Sequence, residues 1–279
     1  MQEMVICALS DLVGYIEEHC SCRGEVFFRG QRVDEPLLPS IARLHPKHGG
    51  LLETEQALLR QFMRRSLPFL EMRPETQWDW LAVAQHHGLP TRLLDRSVNA
   101  LAATWFVVER PAESDHGVIW LFHAREGLVS DGGDYVDSSG KGNPFEIKQL
   151  SILVPRLVSS RIAAQGGYFT VHPSHDEQSP FRALEEDEHF EQRLVKLKIP
   201  AAIFPSIRHD LTRLGVNAMS IYQDLVGLCQ DIRWRYAYAA DEGPVMWEDG
   251  SERSLAGVRK RCRALQSKQG LSSFSAVCS

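Results

Sequence analysis

The chain has 279 residues, 43% of them hydrophobic, enough to bury a sizeable core in one large domain or two small ones. Its formal net charge of −5 argues against an ordinary electrostatic nucleic-acid binder, which carries a basic excess, while leaving room for a local basic cleft. No apolar run reaches the roughly 18 residues of a membrane-spanning helix, so no membrane association is expected.

Met1 to Ser10 has neither the basic region nor the long apolar stretch of a secretory signal. The cysteines, at 7, 20, 22, 229, 262 and 278, form no small-scaffold disulfide framework, and a reduced cytoplasmic setting is expected. Residues 9–19 predict a helix capped by Ser10 or Asp11, with Leu12, Val13, Tyr15 and Ile16 apolar. Residues 25–30 read as a strand stopped by Gly30, and 37–41 as a turn. A helix follows over 53–67, with Glu55 and Gln56 ahead of Leu59 and Arg60 in a favourable charge order. Thr76 caps a further helix that ends near His86, at a left-handed Gly88. After the Pro90-Thr91 turn comes Leu93-Leu94-Asp95, then an apolar core helix over 99–108.

Residues 117–123 alternate as a strand, and 126–144, rich in Gly, Asp and Ser, read as a loop. Strands are expected at 151–155 and 168–171, with a polar stretch over 172–188. Within it, Glu185-Glu186-Asp187-Glu188 reads as a solvated acidic face. Residues 194–199 suit a half-exposed strand, 205–214 a helix closed by Gly215, and 222–234 another helix. Beyond about residue 240 the chain is polar, with a helical stretch over 252–265 that can pack on the domain or bind a partner. Strands and helices mix without regular βαβ alternation, which predicts an α+β fold, a single mixed domain with mainly antiparallel sheets flanked by helices.

Four blocks stand out: Phe27-Phe28-Arg29-Gly30-Gln31 with Leu37-Leu38-Pro39-Ser40-Ile41; Ala84 through Asp95 with Ala100 to Phe106; Arg161 through Thr170; and Tyr222 through Leu228. On these the chain resembles the FRG family, named for Phe-Arg-Gly, over residues 20–239, leaving an N-terminal helix at 1–19 and a polar tail or helix at 240–279. The order of elements also resembles that of ADP-ribosyltransferases. Arg29-Gly30 fits their first strand. Thr91 followed by Ala100 to Phe106 fits their Ser/Thr strand and Ala-rich helix. Gln165-x-Gly167 stands where Gln-x-Glu is expected, with Gly in place of the acid.

The resemblance implies NAD as substrate, a protein or nucleic-acid acceptor, and a toxin or anti-phage effector neutralised by an antitoxin protein. Cleaving nicotinamide from ribose builds positive charge on the sugar, so such a site needs donors for pyrophosphate, a flat ring for nicotinamide and an anion near the ribose. Arg29, with Arg92 and Arg161, offers guanidinium forks, and Gly30, Gln31 and Gln165 lie beside them in the motifs. Tyr168 or Phe169 offers the ring. Asp224 leads as the carboxylate, ahead of Asp95 and then the acidic run 185–188, with His86 and His87 as acid, base or substrate ligand. Each has a structural alternative: Arg29 paired with Asp95 or Asp224, His86 and His87 at a helix end, Thr91 in a turn, Asp224 as an N-cap, and Tyr168 in the core. A non-catalytic nucleotide or phospho-ligand module and an NAD glycohydrolase remain the rival functions. No metal site is expected, since His19, Cys20 and Cys22 have no second pair to complete a tetrahedron.

Overall fold

The structure, a computed structural model, describes residues 1–20, 25–70, 72–124, 135–137, 142–155, 165–174 and 181–242. Arg161, the helix expected over 252–265 and much of the loop expected over 126–144 lie outside the described residues. In chain order the elements begin with β1 (Gln2–Val5), α1 (Leu9–His19), β2 (Val26–Gln31), α2 (Leu51–Arg65), α3 (Gln77–His86), β3 (Leu93–Ser97) and α4 (Ala100–Val108). They continue with β4 (His116–His123), β5 (Tyr135–Asp137), β6 (Ser151–Val154), β7 (Gly167–Val171), α5 (Glu188–Glu191), β8 (Leu194–Pro200), α6 (Phe204–Arg213), α7 (Ala218–Tyr222) and α8 (Leu225–Tyr236). The class is α+β, with antiparallel pairs β4–β8, β3–β7 and β6–β7 and parallel pairs β1–β8 and β5–β6. Two compact units divide the chain: one of Met1–Glu35, Asn99–Phe122 and Leu194–Ser279, the other of Pro36–Val98 and His123–Arg193.

In the first unit the strands run in the order β1-β8-β4-β2. One sheet face carries Phe28, Ile119, Leu121, Leu197 and Ile199 into a core with Leu12 and Tyr15 of α1, Val107 of α4 and Ile207 of α6. Strand alternation sends Phe27 to the other face, where it meets Phe122 with ring centroids 6.5 Å apart. Asp11 does not cap α1. It sits one turn in, and its Oδ2 accepts from the amides of Cys7 and Ala8 at 2.9 and 3.0 Å. The single helix expected over 222–234 is two: Gln223 takes φ +50° and stops α7, and a new helix starts behind Asp224. Cys7, wholly buried, is disulfide-bonded, whereas Cys20 and Cys229 are free thiols, so the expectation of reduced cysteines does not hold at Cys7.

In the second unit the order is β3-β7-β6-β5. Leu59 of α2 and Trp78, Trp80 and Leu81 of α3 pack with Leu93, Leu153, Phe169 and Val171 from the strands. Thr76 caps α3 as expected, its hydroxyl accepting from the Asp79 amide at 3.1 Å, and Gly88 closes the end at φ +83°. Strand β5 lies inside the stretch expected as a loop. Glu185 is not part of a purely solvated face: both of its carboxylate oxygens accept from the Leu37 amide, at 3.2 and 3.1 Å. Among the described residues no helix is long and apolar enough to cross a membrane.

Candidate functional site

The Phe28-Arg29-Gly30 run lies on β2 of the first unit. Phe28, 4% exposed, belongs to the core beneath α4. Gly30 faces the same helix: a Cβ there would stand 1.8 Å from the Ala103 carbonyl oxygen. The glycine is therefore required by the approach of α4 to the strand, a packing reason rather than the cofactor approach expected from sequence. Gln31 accepts from the Trp120 indole N–H through Oε1 at 2.8 Å, which ties β2 to β4. Arg29, half-buried, points to the face opposite Phe28 and Gly30.

In the second unit, β3 and β7 are antiparallel, with Ser97 opposite Gly167 and Arg96 opposite Tyr168. Gly166 takes φ +55°, so the chain turns sharply into β7 and sets Gln165 against the end of β3. There the Ser97 hydroxyl donates to the Gln165 carbonyl, and the Val98 amide donates to that of Gly166 at 3.1 Å. Arg96, 3% exposed, shares a strand face with half-buried Tyr168 and with buried Thr170 and His172. Thr170 Oγ1 lies 3.5 Å from His172 Nε2. Position 167, where the acid of Gln-x-Glu would stand, brings no side chain to this strand end.

The other expected residues are placed differently. Thr91 is 1% exposed and precedes β3; its hydroxyl donates to Gln85 Oε1 at 2.7 Å and accepts from the Leu93 amide at 3.1 Å. Gln85 in turn donates to Asp95 Oδ2 at 2.9 Å. Arg92 has 0% exposure: its Nε and Nη2 donate to Glu55 Oε2 at 3.0 and 2.7 Å, and Nη1 donates to the Pro144 carbonyl at 3.1 Å. The guanidinium expected at a phosphate is thus an interior anchor. His86 ends α3 and meets the ring of His87 edge-on at 5.1 Å. Asp224 is the N-cap of α8, its Oδ1 accepting from the Gly227 amide at 2.7 Å. Among the described residues no cluster of His, Cys, Asp or Glu is arranged to hold a metal ion.

The structure sets the Gln165 carbonyl against Ser97 at the turn into β7, while Arg96, Tyr168 and His172 lie on the opposite face of the strands from Ser97. Ser97, Arg96 and His172 are residues that the sequence motifs did not single out. The signal for Ser97 lay in the order of elements. It ends the strand that leads through the Asn99 cap into the Ala-rich α4, whereas Thr91 stands ahead of that strand. The family model of the FRG domain matches residues 24–116. Over those residues, a third of its length, the chain is similar to the FRG domain. The matched FRG span takes in Phe28-Arg29-Gly30, Thr91, Arg92, Ser97 and α4; Gln165, Tyr168 and Asp224 lie beyond it. No curated protein and no solved structure matches the chain.

Proposed function

We propose that the chain binds NAD at the Ser97–Gln165 end of β3 and β7 and transfers its ADP-ribose to a macromolecule. The observation that carries this is the meeting of the Ser97 hydroxyl with the Gln165 carbonyl at the turn that enters β7. It supports the same order of parts as in ADP-ribosyltransferases: a hydroxyl strand entering an Ala-rich helix, then a Gln-bearing turn entering a strand. In this reading the Gln165 amide holds the ribose hydroxyls and Tyr168 faces the nicotinamide ring. The acceptor is a protein or a nucleic acid, the setting a cytoplasmic toxin or anti-phage effector, and a neutralising antitoxin a natural partner.

A second reading, a nucleotide-binding module without transfer, is favoured by one observation. No carboxylate stands at position 167, and Asp224 is engaged as a cap. One assay separates the two: purified chain, labelled NAD and a lysate, with label and free nicotinamide both followed. Labelled macromolecule is the expected result. Nicotinamide release alone makes the chain a glycohydrolase, and NAD binding with neither makes it a binding module. Gln165→Ala is expected to slow turnover by about 100-fold; unchanged turnover in that variant removes the proposed site. Arg29→Ala tests separately the phosphate role that the resemblance gives to Arg29.

A further inference from the structure

Helix α8, in the first unit, is amphipathic in the inverted sense. Its buried positions are Gly227 and Asp231, and Gly227 lies so close to α7 that a Cβ there would stand 2.7 Å from the Ala218 carbonyl oxygen. The side turned to solvent carries Leu225, Cys229, Ile232 and Tyr236, whose spacing makes one stripe along a helix. Leu225 is 77% exposed, Ile232 47% and Tyr236 87%, and Cys229 is an exposed free thiol. A surface helix ordinarily turns such a stripe inward; a contiguous apolar stripe left outside marks a face that something covers.

The chain that follows points to the occupant. Helix α8 ends at Tyr236, and residues 243–279 lie beyond the described residues. Their sequence holds Leu255, Val258, Cys262 and Leu265, an apolar series with alternating heptad spacing. At helical periodicity these four share one face, and Arg253 and Lys260 fall on the opposite one. As a helix, Leu255 to Leu265 would span about 15 Å, and Leu225 to Tyr236 spans about 17 Å, so the two stripes match in length. The chain from 242 to 252 can reach roughly 33 Å when extended, more than enough to turn back along α8. Run antiparallel, a single register seats Leu255 on Tyr236, Val258 on Ile232, Cys262 on Cys229 and Leu265 on Leu225.

We infer that residues 252–265 form a helix that docks antiparallel on the exposed face of α8, with Cys262 opposite Cys229. The docking does not depend on the NAD reading. Treating the full chain, dilute and reduced, with a short bismaleimide tests it, because each maleimide adds one thiol and needs no oxidant. The expected product is a link between Cys229 and Cys262 within one chain, mapped by mass spectrometry of its peptides. Its yield should fall about tenfold in Val258→Asp, which would set a charge in the apolar seam. Lys260→Asp, on the far face, should leave the yield unchanged. A tail that merely wanders near α8 would link equally well in Val258→Asp, or would link Cys229 to Cys278 as readily as to Cys262; either result overturns the docking. Links between the Cys229 residues of two chains overturn it in favour of a second copy on α8. Cys229 labelled at one end only, as fast as an unhindered thiol, overturns it by showing the stripe bare.

Discussion

Glu55 and Arg92 are buried together at 1% and 0% exposure, and neither stands among the motifs as a pair. Taking two charges out of water is costly, and the pair persists because its geometry is complete. Glu55 Oε1 also accepts from the Arg92 amide at 2.7 Å, and the Phe145 ring lies 4.8 Å from the guanidinium. Removing one partner strands the other. Glu55→Ala is expected to destabilise the chain by about 3–5 kcal/mol, read as a fall in the urea midpoint. A loss below about 1 kcal/mol would mean that the pair contributes little. Tyr15 gives a pH counterpart. Its hydroxyl pKa is pushed up from 10.0 to about 12, by burial first and then by the negative charges of Cys20 and Glu18. The folded state holds that proton more tightly, so the stability it lends is complete below pH 10 and is lost as pH rises through about 12. Absorbance titration of wild type against Tyr15→Phe should show the missing tyrosinate step near 12; a missing step near 10 would contradict the burial of the hydroxyl.

At the scale of elements, the helices with chemical end signals were legible in the sequence. Thr76 and Gly88 bound α3, and Gly215 with φ +82° follows α6. Asp224 was legible as a motif residue, yet its function turned on a helix boundary. Only the left-handed Gln223 reveals that a new helix begins behind it. Asp224→Ala is accordingly expected to cost about 1 kcal/mol of stability and leave the proposed NAD turnover intact; loss of that turnover with an unshifted melting midpoint would return Asp224 to the chemistry. Strand β1 was not legible, because four residues with an exposed-to-half-buried pattern show no alternation, and its order comes from β8 alongside. Glu185 was read as a solvated charge and Glu55 as part of a helix charge order because their partners, Leu37 and Arg92, lie far away in sequence. Of the site, Gln165 and Tyr168 were visible as motif residues. Ser97 was not named, although the order of elements put it at the end of the strand entering α4; its contact with Gln165 follows from strand pairing rather than from a local pattern.

At the scale of the whole molecule, the chain passes between its two units after residues 35, 98, 122 and 193. Neither unit is a contiguous segment, and the matched FRG span of 24–116 cuts through both. That span contains β2, β3, α2, α3 and α4, and it stops at the first residue of β4. It lacks β8, which pairs β1 with β4, and β7, which pairs β3 with β6. It also lacks the α6 residues Ile207 and Leu211 and the β7 residues Phe169 and Val171, which complete the two cores. A fragment ending there would leave Leu93 and Phe28 without their strand and helix neighbours, and β2 and β3 with unpaired edges. Residues 24–116 expressed alone are therefore expected to lack cooperative thermal unfolding and to show collapsed or aggregated behaviour, read by circular dichroism and light scattering. A sharp, reversible melt of that fragment would show that the FRG span is an autonomous domain and that the later strands are additions to it. The expected failure instead makes the folding unit the longer one, in which the motif strands acquire their order only when β7 and β8 arrive, late in the chain and through long-range pairings that slow folding.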